Sequence, residues 1–405
     1  MKKTITLAAA LTIAGLDAAS APAWAQATPA PAAAASPAPA PEASPVSMPA
    51  MGQTLAANPK PLKVDAGPLG GVYVSGVLSA MGQYESNFVG SGIFSDEHRW
   101  MADLTNGQVV VQKVDGPIQF YAEGGAYSIP DLGVPYLRAG STTANTFGGL
   151  PVWFLKYAPS DEFSVQAGNL PTLIGAEYAF SFQNVNIERG LIWNQENSIA
   201  RGVQANYTKG PLAVSVAWTD GFFSNRYSWV SGSATYTIDS SNTLAVSAGG
   251  SVNTETVSSY ATPLLQNNET VYNAVFTHTA GPWTIIPSLQ YTSVPSDSKI
   301  GTTRDLNTFG GALYGIYAVG GGYSVAGRAE YITSNGNSGD PTLLYGPGSN
   351  AWSFTITPTW QNRLLFARAE FSYVKATSAT PGFEFGPSAS SDSMARVLLE
   401  AGVIF

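Results

Sequence analysis

Apolar and polar residues alternate with a period of two over most of the chain beyond Gly70. In segment 351–360 the even positions are Trp352, Phe354, Ile356, Pro358 and Trp360, and the odd ones Ser353, Thr355, Thr357 and Thr359. Side chains along a strand point alternately to opposite faces, so this pattern predicts a strand with one apolar and one polar face. Segment 282–291 repeats it, with Trp283, Ile285, Pro287, Leu289 and Tyr291 on one face and Thr284, Ser288 and Gln290 on the other. The last ten residues, RVLLEAGVIF, place Val397, Leu399, Ala401, Val403 and Phe405 opposite Arg396, Glu400 and Gly402. Such strands are stable only where the apolar face meets core or lipid and the polar face meets water. Pro287 and Pro358 lack a ladder donor, which predicts a bulge or local irregularity at each.

Sixteen such segments can be marked: 71–86, 99–113, 117–128, 150–157, 162–168, 199–208, 211–219, 228–238, 241–252, 270–279, 282–293, 308–318, 321–333, 350–360, 363–375 and 394–405. The second changes parity between Leu104 and Val109. Connections alternate between tight turns rich in Gly, Asp and Asn and longer runs of Gly, Ser, Thr and Asn, the longest spanning 169–198. This alternation predicts an all-β fold, a transmembrane antiparallel up-and-down β-barrel of about sixteen strands with short periplasmic turns and long extracellular loops. Trp352 and Trp360 lie eight residues apart, roughly 26 Å along a strand. With Trp283 they are candidates for the two aromatic girdles of such a barrel.

Composition fits this expectation. Charged residues make up 11% of the chain, against about 25% in ordinary soluble proteins. The absence of Cys excludes disulfides and thiolate metal sites. His98 and His278, the only histidines, fall at strand ends on opposite sides of the predicted barrel, so they cannot form a catalytic pair. No cofactor, metal site or enzymatic cluster is expected. The formal net charge of −8 argues against nucleic acid as a partner.

Residues 1–27 read as a signal peptide, with Lys2 and Lys3 ahead of an apolar run and small residues around Ala23–Ala27. Residues 28–69 include an Ala/Pro-rich stretch and predict a disordered periplasmic linker. The barrel is then expected over 70–405.

Inward positions are mostly small and polar, which predicts a water-filled pore. On that wall Glu123, Lys156, Arg328, Glu330, Arg368, Glu370, Arg396 and Glu400 are the pore-lining candidates. They could set a transverse field across the lumen or form an in-wall ladder of ion pairs that fixes strand register. Loop 169–198 carries Glu177, Glu188, Arg189 and Glu196 among many apolar residues, too many for a freely solvated loop. It is expected to fold into the barrel as a constriction, the other possibility being an outward surface cap.

Two further patterns carry a resemblance. A chain stopping on Phe405 at the end of an alternating strand resembles the closing strand of outer-membrane barrels, which implies recognition of Phe405 by the barrel-assembly machinery. The run QAGNLPTLIGAEYAFSFQNVNIERGLIW followed by SIARGVQANYT resembles the porin-2, OmpL-like family of outer-membrane barrels. The matching positions are Gly168, Pro171, Thr172, Gly175, Glu177, Asn184, Arg189, Gly202 and Val203. The family pattern often carries His before the Gly-Val pair, where this chain has Ala200-Arg201, and Arg201 shares the outward parity of Val203. The resemblance implies a porin in the outer membrane of a Gram-negative bacterium, surrounded by lipid, passing small hydrophilic solutes, as a monomer or a homotrimer. A modest acidic excess in the loops points to weak cation preference. The alternatives are a sealed barrel acting as a structural or adhesive anchor and, less compatible with the residues present, an outer-membrane enzyme.

Overall fold

The computed structural model describes residues 54–405. The expected signal peptide and the first part of the expected linker lie outside these residues. The chain forms β1 (Leu62–Asp65), β2 (Gly71–Glu85), β3 (Trp100–Lys113), β4 (Ile118–Tyr127), β5 (Val152–Tyr157), β6 (Phe163–Pro171), β7 (Ile199–Lys209), β8 (Leu212–Thr219) and β9 (Trp229–Thr237). It continues through β10 (Asn242–Ser251), β11 (Thr270–Ala280), β12 (Trp283–Val294), β13 (Leu306–Gly320), β14 (Tyr323–Ser334), β15 (Asn350–Asn362), β16 (Leu365–Thr377) and β17 (Ser393–Ile404). One short helix, α1 (Ala139–Asn145), lies between β4 and β5.

From β2 to β17 each strand pairs antiparallel with the next, and β17 pairs with β2 from Arg396↔Glu85 to Ile404↔Val77. The sixteen strands therefore close on themselves, leaving the barrel no open edge. Each of the sixteen segments marked in the sequence is one of these strands. The alternation is realised in burial: Trp352, Phe354 and Ile356 are exposed on the outer face while Ser353, Thr355 and Thr357 are buried inside. All the tight turns fall at one end of the barrel and all the long loops at the other. Here we call these the turn end and the loop end.

Three local features have physical causes. The parity change in β3 is a bulge: Ser79 faces Asn106 but Ala80 faces Leu104, so Thr105 is the extra residue and is fully buried. Pro287 and Pro358 do not bulge, contrary to part of the expectation. Register runs through both, and the irregularity is a gap in pairing, on the β11 side at Pro287 and the β16 side at Pro358. A proline can leave a ladder bond unmade without inserting a residue.

The chain terminus is locked by Gly76. Phe405 donates its N–H to the Gly76 carbonyl at 2.9 Å and accepts from the Gly76 N–H at 2.8 Å. A Cβ on Gly76 would stand 2.6 Å from both Phe405 Cζ and the Gln108 carbonyl oxygen. Replacing Gly76 by Val should therefore displace either the Phe405 ring or the backbone of β3, costing about 1–3 kcal/mol. A lower midpoint for the loss of the compact band on heating in SDS gels would register it, and an unchanged midpoint would refute the steric argument.

The expected disordered linker over 28–69 needs correction at its end. Leu55 is 3% exposed, inside a cluster with Val77, Val110, Phe180, Phe366 and Ile404. Ala56 exchanges two 2.8 Å hydrogen bonds with the Gln361 side chain, and the short β1 pairs with the start of β2. One buried leucine and an amide clamp fix a stretch whose composition alone gives no periodic apolar face.

Candidate channel interior

The loop between β6 and β7, residues 172–198, lies inside the barrel, and its attachment explains the inward charges. Glu370 on β16 accepts the backbone N–H groups of Ile187 and Glu188, the latter at 2.9 Å, together with the Thr357 hydroxyl at 2.6 Å. Arg328 on β14 donates to Glu177 Oε1 and to the Glu188 carbonyl, both at 2.7 Å, and its Nε lies 3.1 Å from Glu330. Glu330 in turn accepts the Ile192 N–H at 3.3 Å. Arg368 on β16 donates to the Ser181 carbonyl at 3.1 Å and lies 3.5 Å from Glu400, which accepts the Ser181 hydroxyl. Buried charges persist only when paired and hydrogen-bonded, and here the partners come from wall and loop together.

Arg396 on β17 joins the most elements. It donates to Glu85 of β2 and to Glu188 of the inserted loop, each at 2.7 Å, and to the carbonyls of Asp131 and Val134 in the loop after β4. Glu97, from the loop after β2, lies 3.9 Å away. That loop after β4 also pairs with the inserted loop through a parallel bridge between Asp131 and Arg189, whose side chains meet at 3.1 Å.

Each pore-lining candidate thus lies on the inner wall, with the charges of β14, β16 and β17 beneath the inserted loop rather than beside open water. Arg328, Glu330, Arg368, Glu370, Arg396 and Glu400 are at most 5% exposed. Arg368–Glu400 and Arg396–Glu85 are also directly opposed cross-strand pairs, so the ladder arrangement is present. Glu123 on β4 accepts from Gln108 and Tyr121, both at 2.9 Å. Lys156 on β5 stays half-buried on the opposite side of the lumen. Glu85, Glu97 and Asp131 went unnoticed in the sequence; the one available signal was that Glu85 shares the inward parity of Ser79 and Gln83.

The segment motif around Pro171 is largely the scaffold of this loop. Gly175 has φ +83°, and a Cβ there would lie 1.9 Å from a Glu196 carboxylate oxygen. Only glycine allows both the backbone conformation and the approach. Asn184 ties the loop to itself, its amide accepting the Tyr178 N–H and donating to the Tyr178 and Phe180 carbonyls, each at 2.8 Å. Arg201 sits at the loop end of β7, paired with Asp220 at 2.7 Å and stacked on Phe223.

Asp131 and Glu196 are among the loop carboxyls with displaced acidities. Burial raises Asp131 to about 6, opposed by Arg189. Burial raises Glu196 well above the usual carboxylate range, reinforced by Glu177 and Glu330. At the loop end, Glu196 helps line a cavity of about 360 Å³. Two voids of about 10 Å³ remain beside Pro171, one between the inserted loop and β4–β7 at Ser198 and Ile199, the other between the loop and β6–β9 at Asn197, Ala200 and Ser231, each room for about one water.

The family described as "Putative beta-barrel porin-2, OmpL-like" matches residues 71–405. The chain belongs to this family. Its place is the outer membrane, where the sixteen-stranded barrel spans the bilayer. Solved structures share the fold at low identity. Outer-membrane expressed OmpT of Vibrio cholerae is 14% identical with a TM-score of 0.55, covering 85% of this chain and 100% of its own. The outer membrane channel DcaP of Acinetobacter baumannii is 10% identical with a TM-score of 0.55, over 83% and 97%. The anion-selective porin from Comamonas acidovorans is 10% identical with a TM-score of 0.54, over 82% and 99%. No curated protein matches the chain.

Proposed function

We propose that the protein is a passive diffusion channel for small hydrophilic solutes, with loop 172–198 as its constriction, turns on the periplasmic side and loops outside. The observation that carries this is an asymmetry of the inner wall. On β14–β17 the inward side chains lie buried under the loop, whereas Lys156, Gln166, Asn206, Ser215, Ser247 and Thr277, on β5–β11, remain partly exposed. That polar, uncovered wall is the side along which water and solute pass. Trp283 and Trp360 near the turn end and Trp352 near the loop end then serve as the aromatic girdles, and Phe405 as the assembly signal. With the modest acidic excess of its loops, weak cation preference follows, in contrast to the anion-selective porin named above.

The narrow voids beside Pro171 favour a second reading, a barrel sealed at rest and serving as an anchor. Single-channel recording of the refolded mature protein in a planar bilayer separates the two. Stable steps that scale with salt support the channel, whereas silence from protein shown to be folded supports the sealed barrel. Glu370→Ala provides an internal check, because it removes the acceptor that holds Ile187 and Glu188. We expect noisier current and larger openings, as a loop freed at its anchor fluctuates. Current indistinguishable from the parent would show that the loop does not constrict the path.

A further inference from the structure

The loop-end cavity has a chemistry of its own. Its volume is about 360 Å³, within the range of small-molecule sites. Phe147, Trp193, Phe222, Tyr260 and Tyr345 contribute to its lining, as do the carboxylates Asp131 and Glu196, and among the described residues that line it there is neither Lys nor Arg. Asp131 is matched by Arg189. Glu196 is 6% exposed and its Oε2 has no hydrogen-bond partner; beside it Gln195 Oε1 is likewise unpartnered at 2% exposure. Gln195 is held in place by its amide, which donates to the Leu343 carbonyl at 3.1 Å. Glu196 and Gln195 therefore line an aromatic cavity, each carrying one buried acceptor oxygen with no donor, where a buried acceptor ordinarily has one.

We propose that this cavity binds an organic cation, a primary ammonium on an apolar body, with the ammonium donating to Glu196 and Gln195 and the body against the aromatic rings. This deepens the channel reading by naming a solute class, and rests on it only for the step from binding to passage. Aromatic faces attract cations, and an ammonium supplies donors that a neutral or anionic analogue of the same shape lacks. The groups facing Glu196 are acidic or phenolic: Glu177 and Tyr178 of the same loop, Glu330 of β14, Tyr314 of β13 and Glu269 before β11. Burial and these neighbours raise the Glu196 carboxyl well above the usual carboxylate range, so in the empty site it ionises less readily than a free carboxyl. An arriving ammonium favours the ionised form, so affinity rises with pH until the carboxyl is ionised without ligand.

The test uses the full mature protein in lipid nanodiscs, with phenethylammonium as probe and phenylacetate and 2-phenylethanol as shape controls, read by tryptophan fluorescence and calorimetry against empty discs. We expect phenethylammonium to bind at least about tenfold more tightly than either control, and its affinity to increase from pH 5 to pH 8. Glu196→Gln should remove the pH dependence and weaken binding by about tenfold or more. Should that variant fold poorly, Tyr260→Ala, which alters a 41% exposed ring at the cavity, should weaken binding by roughly three- to tenfold. Equal binding of phenylacetate, or unchanged affinity and pH profile in Glu196→Gln, overturns the proposal. Salt conductance without ammonium binding would sink this inference and leave the channel standing; ammonium binding without conductance would do the reverse.

Discussion

Arg396→Ala is expected to destabilise the barrel by about 3–5 kcal/mol, the loss typical of breaking a buried ion pair from one side. The guanidinium is fully buried and is the shared partner of Glu85 and Glu188, with Glu97 close by. Removing it leaves like charges facing one another in a region with little water, and frees two carbonyls of the loop after β4. Arg396→Lys should restore only part of this loss, since a single ammonium cannot reproduce a fork that reaches two carboxylates and two carbonyls. Adding Glu85→Gln and Glu188→Gln to Arg396→Met should recover much of it, because the unpaired charges are then gone. Heat-modifiability on SDS gels and urea unfolding in detergent would measure the series. If Arg396→Ala unfolds at the parent's midpoint, Arg396 is not where wall and loops are fastened.

That prediction marks the boundary of what the sequence discloses. All sixteen barrel strands were legible because lipid outside and polar lumen inside impose a period of two that nothing else in the chain imitates. Even the β3 bulge was visible as a loss of parity, although only the structure assigns it to Thr105. The inward position of Arg396 and Glu400 was likewise legible from alternation. What they hold was not. Glu188 reaches Arg396 from 208 residues away, through a loop with no period from which to infer contacts. The inserted loop showed itself only as too apolar for solvent, a signal of packing without a direction.

The N-terminal segment docks through a single buried leucine, which the sequence pattern does not mark. Ala- and Pro-rich sequence has no repeating apolar face, so Leu55 looked like part of the linker; its burial depends on a cavity built by Val77, Val110, Phe366 and Ile404 of the wall and by Phe180 and Phe182 of the inserted loop. Thr54 reinforces the contact by donating to the Asn184 and Val185 carbonyls at 3.4 Å. The segment therefore braces the inserted loop from the turn end. In Leu55→Asp, the apolar contribution of about 1.5–3 kcal/mol disappears and docking would force an unpaired carboxylate among aromatic rings. The docked population should fall by roughly tenfold to a hundredfold or more. Released from the wall, the stretch around Asn58 should become a site of rapid proteolysis in the full mature protein, and single-channel conductance should rise as the loop loses its lower support. Leu55→Met, which keeps the apolar volume, should behave as the parent. If Leu55→Asp remains as protease-resistant as the parent, Leu55 is not what docks the segment. Proteolysis without a change in current would mean that the segment binds the barrel but does not brace the loop across the path.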